Sequence, residues 1–134
     1  MPIQRVLIID DDEISQMVLS YQVEDILHAE TIIVKENGEQ ALRFLEEAID
    51  QQSELPQLIF LDLNMPQLSG YDFIKLYEEK YATHLPDTHL VILTSSIRKK
   101  DEEMTKQYPS VAGFYRKPLE EAQIKEILAA AESN

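Results

Sequence analysis

Residues 58–70, with the sequence LIFLDLNMPQLSG, decide what kind of fold this chain adopts. Four apolar residues run without polar alternation into Asp62, and Pro66 and Gly70 follow shortly after. An uninterrupted apolar run of this kind is typical of a strand covered on both faces, as in a parallel sheet between helices. Burying a carboxylate at the tip of such a strand is costly unless a partner compensates its charge. The segment therefore predicts a buried strand that ends in a paired acid.

Similar apolar runs alternate with helix-length segments along the rest of the chain. The predicted strands are RVLIID (5–10), TIIVK (31–35), LIFLD (58–62), LVILT (90–94) and AGFYRK (112–117). The predicted helices cover about 13–27, 37–50, 71–81, 99–107 and 119–131. Asn37 is the expected N-cap of the second helix, with Gln40 three residues further on. Five β–α pairs predict a single doubly wound α/β domain over residues 1–134.

Composition limits the classes of function. A chain of 134 residues is long enough to bury a real core. The absence of cysteine excludes disulfides, thiol chemistry and Cys-based zinc sites. The sequence has neither a signal peptide nor an apolar run approaching the roughly 18 residues of a membrane span. We therefore expect a soluble, cytoplasmic protein with no membrane contact. The net charge of −13 disfavours direct nucleic-acid binding, which normally requires a basic face.

The unusual polar residues fall at the predicted carboxyl ends of the strands. They are Asp10, Asp11 and Asp12 after the first strand, Asp62 after the third, Thr94, Ser95 and Ser96 after the fourth, and Lys117 with Pro118 after the fifth. In an open parallel sheet, ligands bind beyond these ends, where the strand order reverses. Clustered carboxylates repel one another, so a divalent cation between them would stabilise their ionised form. A small number of hard oxygen ligands suits Mg²⁺, which keeps several bound waters that phosphate oxygens can replace. A hydroxyl and an ammonium opposite would hold phosphoryl oxygens.

Each of these residues also has a purely structural explanation. Asp62 could be a turn residue, and Asp10–Asp12 could simply favour a helix N-terminus. Thr94–Ser96 could cap the fourth helix, and Lys117 could be a surface lysine at a turn. Four compatible chemistries on one sheet edge favour a functional site over these separate explanations.

The histidines and helix-3 tyrosines carry no comparable signal. His28, His84 and His89 lack the spacing of metal ligands and are predicted to lie at the surface. Tyr71, Tyr77 and Tyr81 are predicted to pack against the core.

As an ordered set, the segments VLIIDDDE, NGEQAL, LIFLDLNMPQLSG, VILTSS and GFYRKPL resemble the receiver domain of two-component response regulators. The resemblance covers essentially the whole chain. It implies a flavodoxin-like (βα)5 fold, with a five-stranded parallel sheet in the order 2-1-3-4-5. We expect no output domain after the fifth helix, so that a partner protein would receive the signal.

The resemblance also implies roles for individual residues. Asp62 would be the phosphoacceptor. Asp10, Asp11 and Asp62 would hold Mg²⁺, together with the backbone carbonyl of Asn64. Lys117 would bind the phosphoryl group, and its bond to Pro118 is expected to be cis.

The implied switch consists of Thr94, as the hydroxyl, and Phe114, as the aromatic residue. Tyrosine often occupies the second position in this family, so Phe114 is a departure that removes any hydroxyl contact from that position. Tyr115, next along the strand, is expected to face the opposite side of the sheet.

The implied activity is transfer of a phosphoryl group from the phosphohistidine of a histidine kinase or phosphotransfer protein to Asp62. The chain would then catalyse only its own phosphorylation and dephosphorylation, without acting as an enzyme on other substrates. One alternative is a haloacid-dehalogenase-type phosphatase, because Asp10-x-Asp12 follows an apolar strand. That family needs a further acidic pair at a strand end, whereas Glu120 and Glu121 are predicted in the fifth helix. A second alternative is a binding module that works without phosphorylation.

The first helix has more apolar residues than one buried stripe requires. They are Ile14, Met17, Val18, Leu19, Tyr21, Val23, Ile26 and Leu27. Either all of them pack against the fifth helix, or some form an exposed docking strip beside Asp62 for a kinase or phosphotransfer protein. Val18 is the leading candidate for such a contact.

Overall fold

The computed structural model describes residues 3–65, 68–95 and 98–132. The strands are β1 (Arg5–Ile9), β2 (Thr31–Lys35), β3 (Leu58–Asp62), β4 (His89–Thr94) and β5 (Val111–Arg116). The helices are α1 (Glu13–Leu27), α2 (Gly38–Gln51), α3 (Gly70–Leu76), α4 (Lys99–Lys106) and α5 (Glu121–Glu132). Apart from α3, the predicted bounds are correct to within two residues. Glu120 lies directly before α5 rather than inside it.

All strand pairs are parallel, and the order across the sheet is β2-β1-β3-β4-β5. The predicted doubly wound topology is therefore confirmed. The strand order reverses between β1 and β3, because β2 lies on one side of β1 and the later strands lie on the other side. In this central pair, Val6 is in register with Leu58 and Ile9 with Leu61. Ligands bind at such a reversal point in open α/β sheets, and here it lies between Asp10 and Asp62.

Each face of the sheet carries its own core. Val6 and Ile8 of β1 pack into a cluster with residues of α1 and α5, such as Val23. The alternate residues Leu7 and Ile9 pack into a second cluster on the α2 and α3 side. Burying one such side chain contributes about 1.5–3 kcal/mol, so both sides of the strand stabilise the fold. This explains why β1 is apolar at every position from Val6 to Ile9.

The third helix differs from the prediction of one regular helix over 71–81. It ends at Leu76 and continues as a π-helical turn (Tyr77–Tyr81) and a 3₁₀ turn (Ala82–His84). The Ala82 N–H donates to the carbonyl of Tyr77, five residues back, which widens the helix. Tyr77 is buried and stacks on Phe73, with 6.1 Å between ring centroids. Apolar spacing predicts helical structure but does not distinguish an α-helical from a π-helical turn.

The two helices α1 and α4 differ in what they expose. On α1, Leu19 and Val23 are buried, while an exposed apolar strip consists of Ile14, Met17, Val18 and Tyr21. The prediction that part of the apolar surface of α1 faces solvent is therefore confirmed. On α4, Thr105 is the buried residue among Lys99–Lys106. In the part of the chain that the structure describes, the N-cap of α4 is Arg98, whose side chain makes no capping bond.

None of the helices in the described ranges combines the length and apolar character that crossing a membrane would require.

Candidate functional site

The carboxyl ends of β1 and β3 bring three of the predicted site residues together. Asp10, Asp11 and Asp62 each offer a carboxylate oxygen, and these oxygens lie within 4.8 Å of one another. Asp10 and Asp62 are buried, because the ends of β1 and β3 lie side by side in the middle of the sheet, whereas Asp11 is exposed. Three acids this close repel one another unless cations lie among them.

Lys117 supplies a cation from the end of β5. Its Nζ lies 2.9 Å from Oδ2 of Asp10 and 3.4 Å from Oδ2 of Asp62. The Lys117 N–H donates to the carbonyl of Thr94 at 2.7 Å, which fixes the chain just beyond β5 against the end of β4. The Lys117–Pro118 bond is cis, as predicted.

Burial and charge shift the pKa values of Asp62 and Lys117. Burial is the largest effect on Asp62 and raises the pKa of its carboxyl from 3.8 to about 6. The charge of Lys117 opposes this rise, and the neighbouring charge of Asp10 adds to it. Burial lowers the pKa of Lys117, but its hydrogen bond with Asp10 and the charge of Asp62 outweigh burial, so the pKa lies above its ordinary value. The lysine therefore stays charged at neutral pH.

Asn64 links Asp62 to Thr94. Its backbone N–H donates to Oδ1 of Asp62 at 3.2 Å, and its side-chain Nδ2 donates to Oγ1 of Thr94, also at 3.2 Å. Thr94 is fully buried at the end of β4, whereas Asn64 is exposed. The sequence indicated a role only for the backbone carbonyl of Asn64, because nothing in the chain order shows where an amide side chain points.

Asp12 has a structural role. It caps α1 by accepting hydrogen bonds from the backbone N–H of Ser15 at 3.1 Å and from Ser15 Oγ at 2.8 Å. These bonds lower the pKa of Asp12. The helix-capping explanation therefore holds for Asp12, while Asp10 and Asp11 belong to the acidic cluster.

The predicted switch positions lie on neighbouring strands. Thr94 ends β4 and pairs in register with Arg116, while Phe114 pairs with Ile92. Phe114 packs against the core on the α2 and α3 side, and Tyr115 packs against the core on the α1 and α5 side. The expected opposite orientation of these two rings is confirmed.

A link between α3 and α4 was missed from the sequence. The hydroxyl of Tyr71, at the start of α3, donates to Oδ1 of Asp101 in the first turn of α4. Burial, followed by this bond, raises the pKa of Tyr71. The tyrosines of the third helix do pack as predicted, since Tyr71 and Tyr81 lie against the core and Tyr77 lies within it.

The remaining polar candidates do not join the site. His28 and His84 are exposed, and His89 is half-buried at the opposite end of β4. Ser96, part of the suggested cap of α4, lies outside the described residues.

Comparisons with known proteins show the family to which the chain belongs. The model of the response regulator receiver domain matches residues 6–129. The sensory transduction protein LytT of Enterococcus faecalis is 31% identical over 128 residues, which are 95% of this chain and 47% of that protein. The transcriptional regulatory protein YdfI of Bacillus subtilis is 34% identical over 91 residues, which are 68% of this chain and 38% of that protein. The chain therefore spans less than half the length of these two relatives.

Solved structures share the fold. A two-component response regulator from Cytophaga hutchinsonii superposes with a TM-score of 0.91 at 23% identity, covering 100% of both chains. The chemotaxis protein CheY4 of Vibrio cholerae gives 0.73 at 24% identity, covering 96% of this chain and 98% of that one. The receiver domain of the histidine kinase CKI1 from Arabidopsis thaliana, complexed with Mg²⁺ and BeF₃⁻, gives 0.81 at 21% identity over 98% and 91% of the two chains.

Proposed function

Since the chain belongs to the family of response regulator receiver domains, we propose that it is a phosphoacceptor switch of a two-component system. It accepts a phosphoryl group on Asp62 from a histidine kinase or phosphotransfer protein in a Mg²⁺-dependent reaction, and it signals through a partner protein. The observation that carries this proposal is the buried Asp62 carboxylate, which lies 3.4 Å from the Lys117 ammonium and within 4.8 Å of the Asp10 and Asp11 carboxylates.

Asp62 is the nucleophile. One carboxylate oxygen forms a bond to phosphorus while the phosphorus–nitrogen bond of the phosphohistidine breaks, so the imidazole leaves and Asp62 becomes an acyl phosphate. The reaction needs the ionised carboxylate, and a pKa of about 6 leaves most of the Asp62 population ionised at pH 7. Its Oδ1 is held by the Asn64 N–H at 3.2 Å, which limits rotation of the carboxylate.

Lys117 stabilises the charge that develops on the transferred group. Its ammonium is already at the site, 3.4 Å from Asp62, so little rearrangement is needed when phosphoryl oxygens arrive. Preorganised charge of this kind, together with positioning, accounts for most of the catalysis in phosphoryl transfer.

The donor set fits Mg²⁺. Three clustered carboxylates offer hard oxygen ligands, and the single ammonium of Lys117 leaves them with excess negative charge. Asp10, Asp11 and Asp62 would hold the ion, together with the backbone carbonyl of Asn64. When bound, Mg²⁺ supplies positive charge that neutralises phosphoryl oxygens. The related CKI1 receiver domain was crystallised with Mg²⁺ and BeF₃⁻, which supports the assignment at the level of a shared fold.

Thr94 and Phe114 transmit the effect of phosphorylation from Asp62 to the protein surface. The Thr94 hydroxyl moves toward the acyl phosphate on Asp62, and Phe114 follows into the space that Thr94 leaves. The surface of α4, β5 and α5 would then be read by the partner. Phe114 can rotate but cannot form a hydroxyl bond, so this chain relies on ring packing at the switch position.

The exposed apolar strip of α1 is the docking surface for the phosphodonor protein. It adjoins a cavity of about 370 Å³ between α1 and the segment after β5, and Asp10, Val18, Lys117 and Leu119 are among the lining residues. An apolar surface beside an active site is a common feature of protein interfaces.

The test is phosphorylation by a small acyl phosphate, such as acetyl phosphate, in the presence of Mg²⁺. Intact-mass analysis should show one phosphoryl group added to the wild-type chain and none added to Asp62→Asn. Equal modification of Asp62→Asn would overturn the assignment of the nucleophile. A second assay, with a generic phosphate ester, tests the phosphatase alternative, since a phosphatase would turn the ester over repeatedly. A module independent of phosphorylation would not be modified by acetyl phosphate.

A further inference from the structure

Asn64 contacts two groups whose surroundings change on phosphorylation. Its backbone N–H donates to Oδ1 of Asp62, and its side-chain Nδ2 donates to Oγ1 of Thr94. The first contact is made by the main chain, so it survives any substitution at position 64 except proline. The second depends on the side chain alone. These two contacts can therefore be separated experimentally.

The side-chain bond acts on the free state of the site. It joins the exposed Asn64 to Thr94, which is fully buried and also receives the Lys117 N–H on its carbonyl. The Thr94 oxygen is the acceptor in this bond, so the bond fixes the position of the oxygen without using the hydroxyl proton. If Thr94 moves toward a phosphoryl group on Asp62, its oxygen must leave Asn64 Nδ2.

We propose that the side-chain amide of Asn64 is a positioning group for Thr94, which holds the threonine in its resting position and thereby opposes the switch. This inference rests on the proposed function. A bond that exists in one state only stabilises that state, and a hydrogen bond between neutral groups shifts an equilibrium about two- to tenfold. The population of molecules with Thr94 in its resting position is therefore larger than it would be without the side-chain amide of Asn64.

The experiment is a double-mutant cycle on the binding of beryllofluoride with saturating Mg²⁺. Asn64→Ala, Thr94→Val and the double variant are compared with wild type by amide NMR titration. We expect Asn64→Ala to tighten beryllofluoride binding about two- to tenfold when Thr94 is present. In the Thr94→Val background the same change should have almost no effect, because the bond is already absent.

A spectroscopic signature accompanies this result. Without beryllofluoride, the ring signals of Phe114 in Asn64→Ala should shift part of the way toward their positions in the saturated wild-type protein. A merely local disturbance at the exposed position 64 would leave the Phe114 signals where they are.

Two results would overturn the proposal. Equal changes in affinity in both backgrounds would mean that Asn64 acts directly on the phosphoryl analogue, and unchanged affinity in both would mean that the bond carries no coupling. A wild-type chain that neither binds beryllofluoride nor becomes phosphorylated would instead overturn the proposed function, and this inference with it.

Discussion

Lys117 and Asp10 form an ion pair at 2.9 Å although they are 107 positions apart in the sequence. This distance is shorter than the 3.4 Å that separates the same ammonium from Asp62. Lys117 therefore compensates Asp10 more fully than Asp62, and burial leaves Asp62 with a pKa raised to about 6. The fold therefore disfavours the charged form of Asp62, the proposed phosphoacceptor.

The first prediction concerns stability and pH in the presence of a chelator. Between about pH 4 and 6, folded Asp62 retains a proton that the unfolded chain has released, since its pKa rises from 3.8 to about 6 on folding. The folded state then binds more protons, so this group lowers stability as pH rises through that window. Asp62→Asn should increase the free energy of unfolding by about 1–3 kcal/mol at pH 7, and the gain should disappear towards pH 4.

Urea unfolding at pH 7 and pH 4 measures this effect. Asp87→Asn, which removes an exposed carboxylate, is the matched control and should change stability by less than about 0.5 kcal/mol. Loss of stability in Asp62→Asn at pH 7 would contradict the prediction.

The second prediction separates two adjacent acids. Asp11→Asn and Asp12→Asn remove the same charge, but only Asp11 belongs to the carboxylate cluster. Asn remains a good N-cap, so Asp12→Asn preserves the start of α1. Calorimetric titration should show Mg²⁺ affinity at least about tenfold weaker in Asp11→Asn, because a charged ligand is lost from a small set. Asp12→Asn should weaken it only about twofold, and similar losses in both variants would argue for long-range charge alone.

The third prediction concerns the backbone beside Asp62. A Cβ at Gly70 would lie 2.7 Å from Cα and 2.8 Å from the carbonyl oxygen of Leu63, the residue after Asp62. Backbone atoms cannot move aside cheaply, so Gly70→Ala should destabilise the fold by about 1–3 kcal/mol and slow phosphorylation by acetyl phosphate.

Gly38→Ala is the control for this steric argument. Its Cβ would also lie 2.7 Å from a neighbour, but that neighbour is Cδ2 at the tip of the Leu68 side chain, which can rotate. Thermal unfolding should show a cost of less than about 1 kcal/mol, because alanine also favours the first helical residue of α2. Equal costs for the two variants would show that the distance alone, rather than the kind of neighbour, decides the outcome.

The fourth prediction tests the docking surface. The donor is a histidine kinase that phosphorylates the wild-type chain. Val18→Asp should slow phosphotransfer from this kinase by at least about tenfold, because the substitution places a charge within an apolar interface. Modification by acetyl phosphate should be unchanged, since Val18 contributes nothing to the chemistry. Met104→Asp on α4 is the matched control, with 39% exposure against 43% for Val18. Equal slowing with both donors would leave the docking proposal without support.

The sequence predicted most of the fold because the central strands β1, β3 and β4 are apolar on both faces and helices such as α2 bury a stripe of apolar residues. It also predicted the edge of the sheet where Asp10, Asp62 and Lys117 meet, since parallel strands must place their carboxyl ends together. What it could not predict depends on side-chain direction. The bonds from Asn64 to Thr94 and from Tyr71 to Asp101 join residues whose spacing in the chain carries no signal.

The error at α3 has a similar origin. Tyr77 and Tyr81 have helical spacing, and no glycine or proline marks the change at Leu76. The π-helical turn begins at Tyr77, which is buried in the core, and the apolar spacing of the sequence does not show how deeply this ring is packed. Local periodicity therefore predicted the right location and the wrong helix type.

The sparse attachment of α4 has a consequence for how the protein opens. This helix buries Thr105, lacks a side-chain cap at Arg98 in the described ranges, and is tied to α3 through Tyr71 and Asp101. Units with few buried contacts open at a lower free energy than the global transition, so the backbone amides of α4 should exchange with deuterium well before those of β3. The helix should then unfold locally before the rest of the domain. Any protein that binds the folded form of α4 would supply free energy that keeps this helix folded.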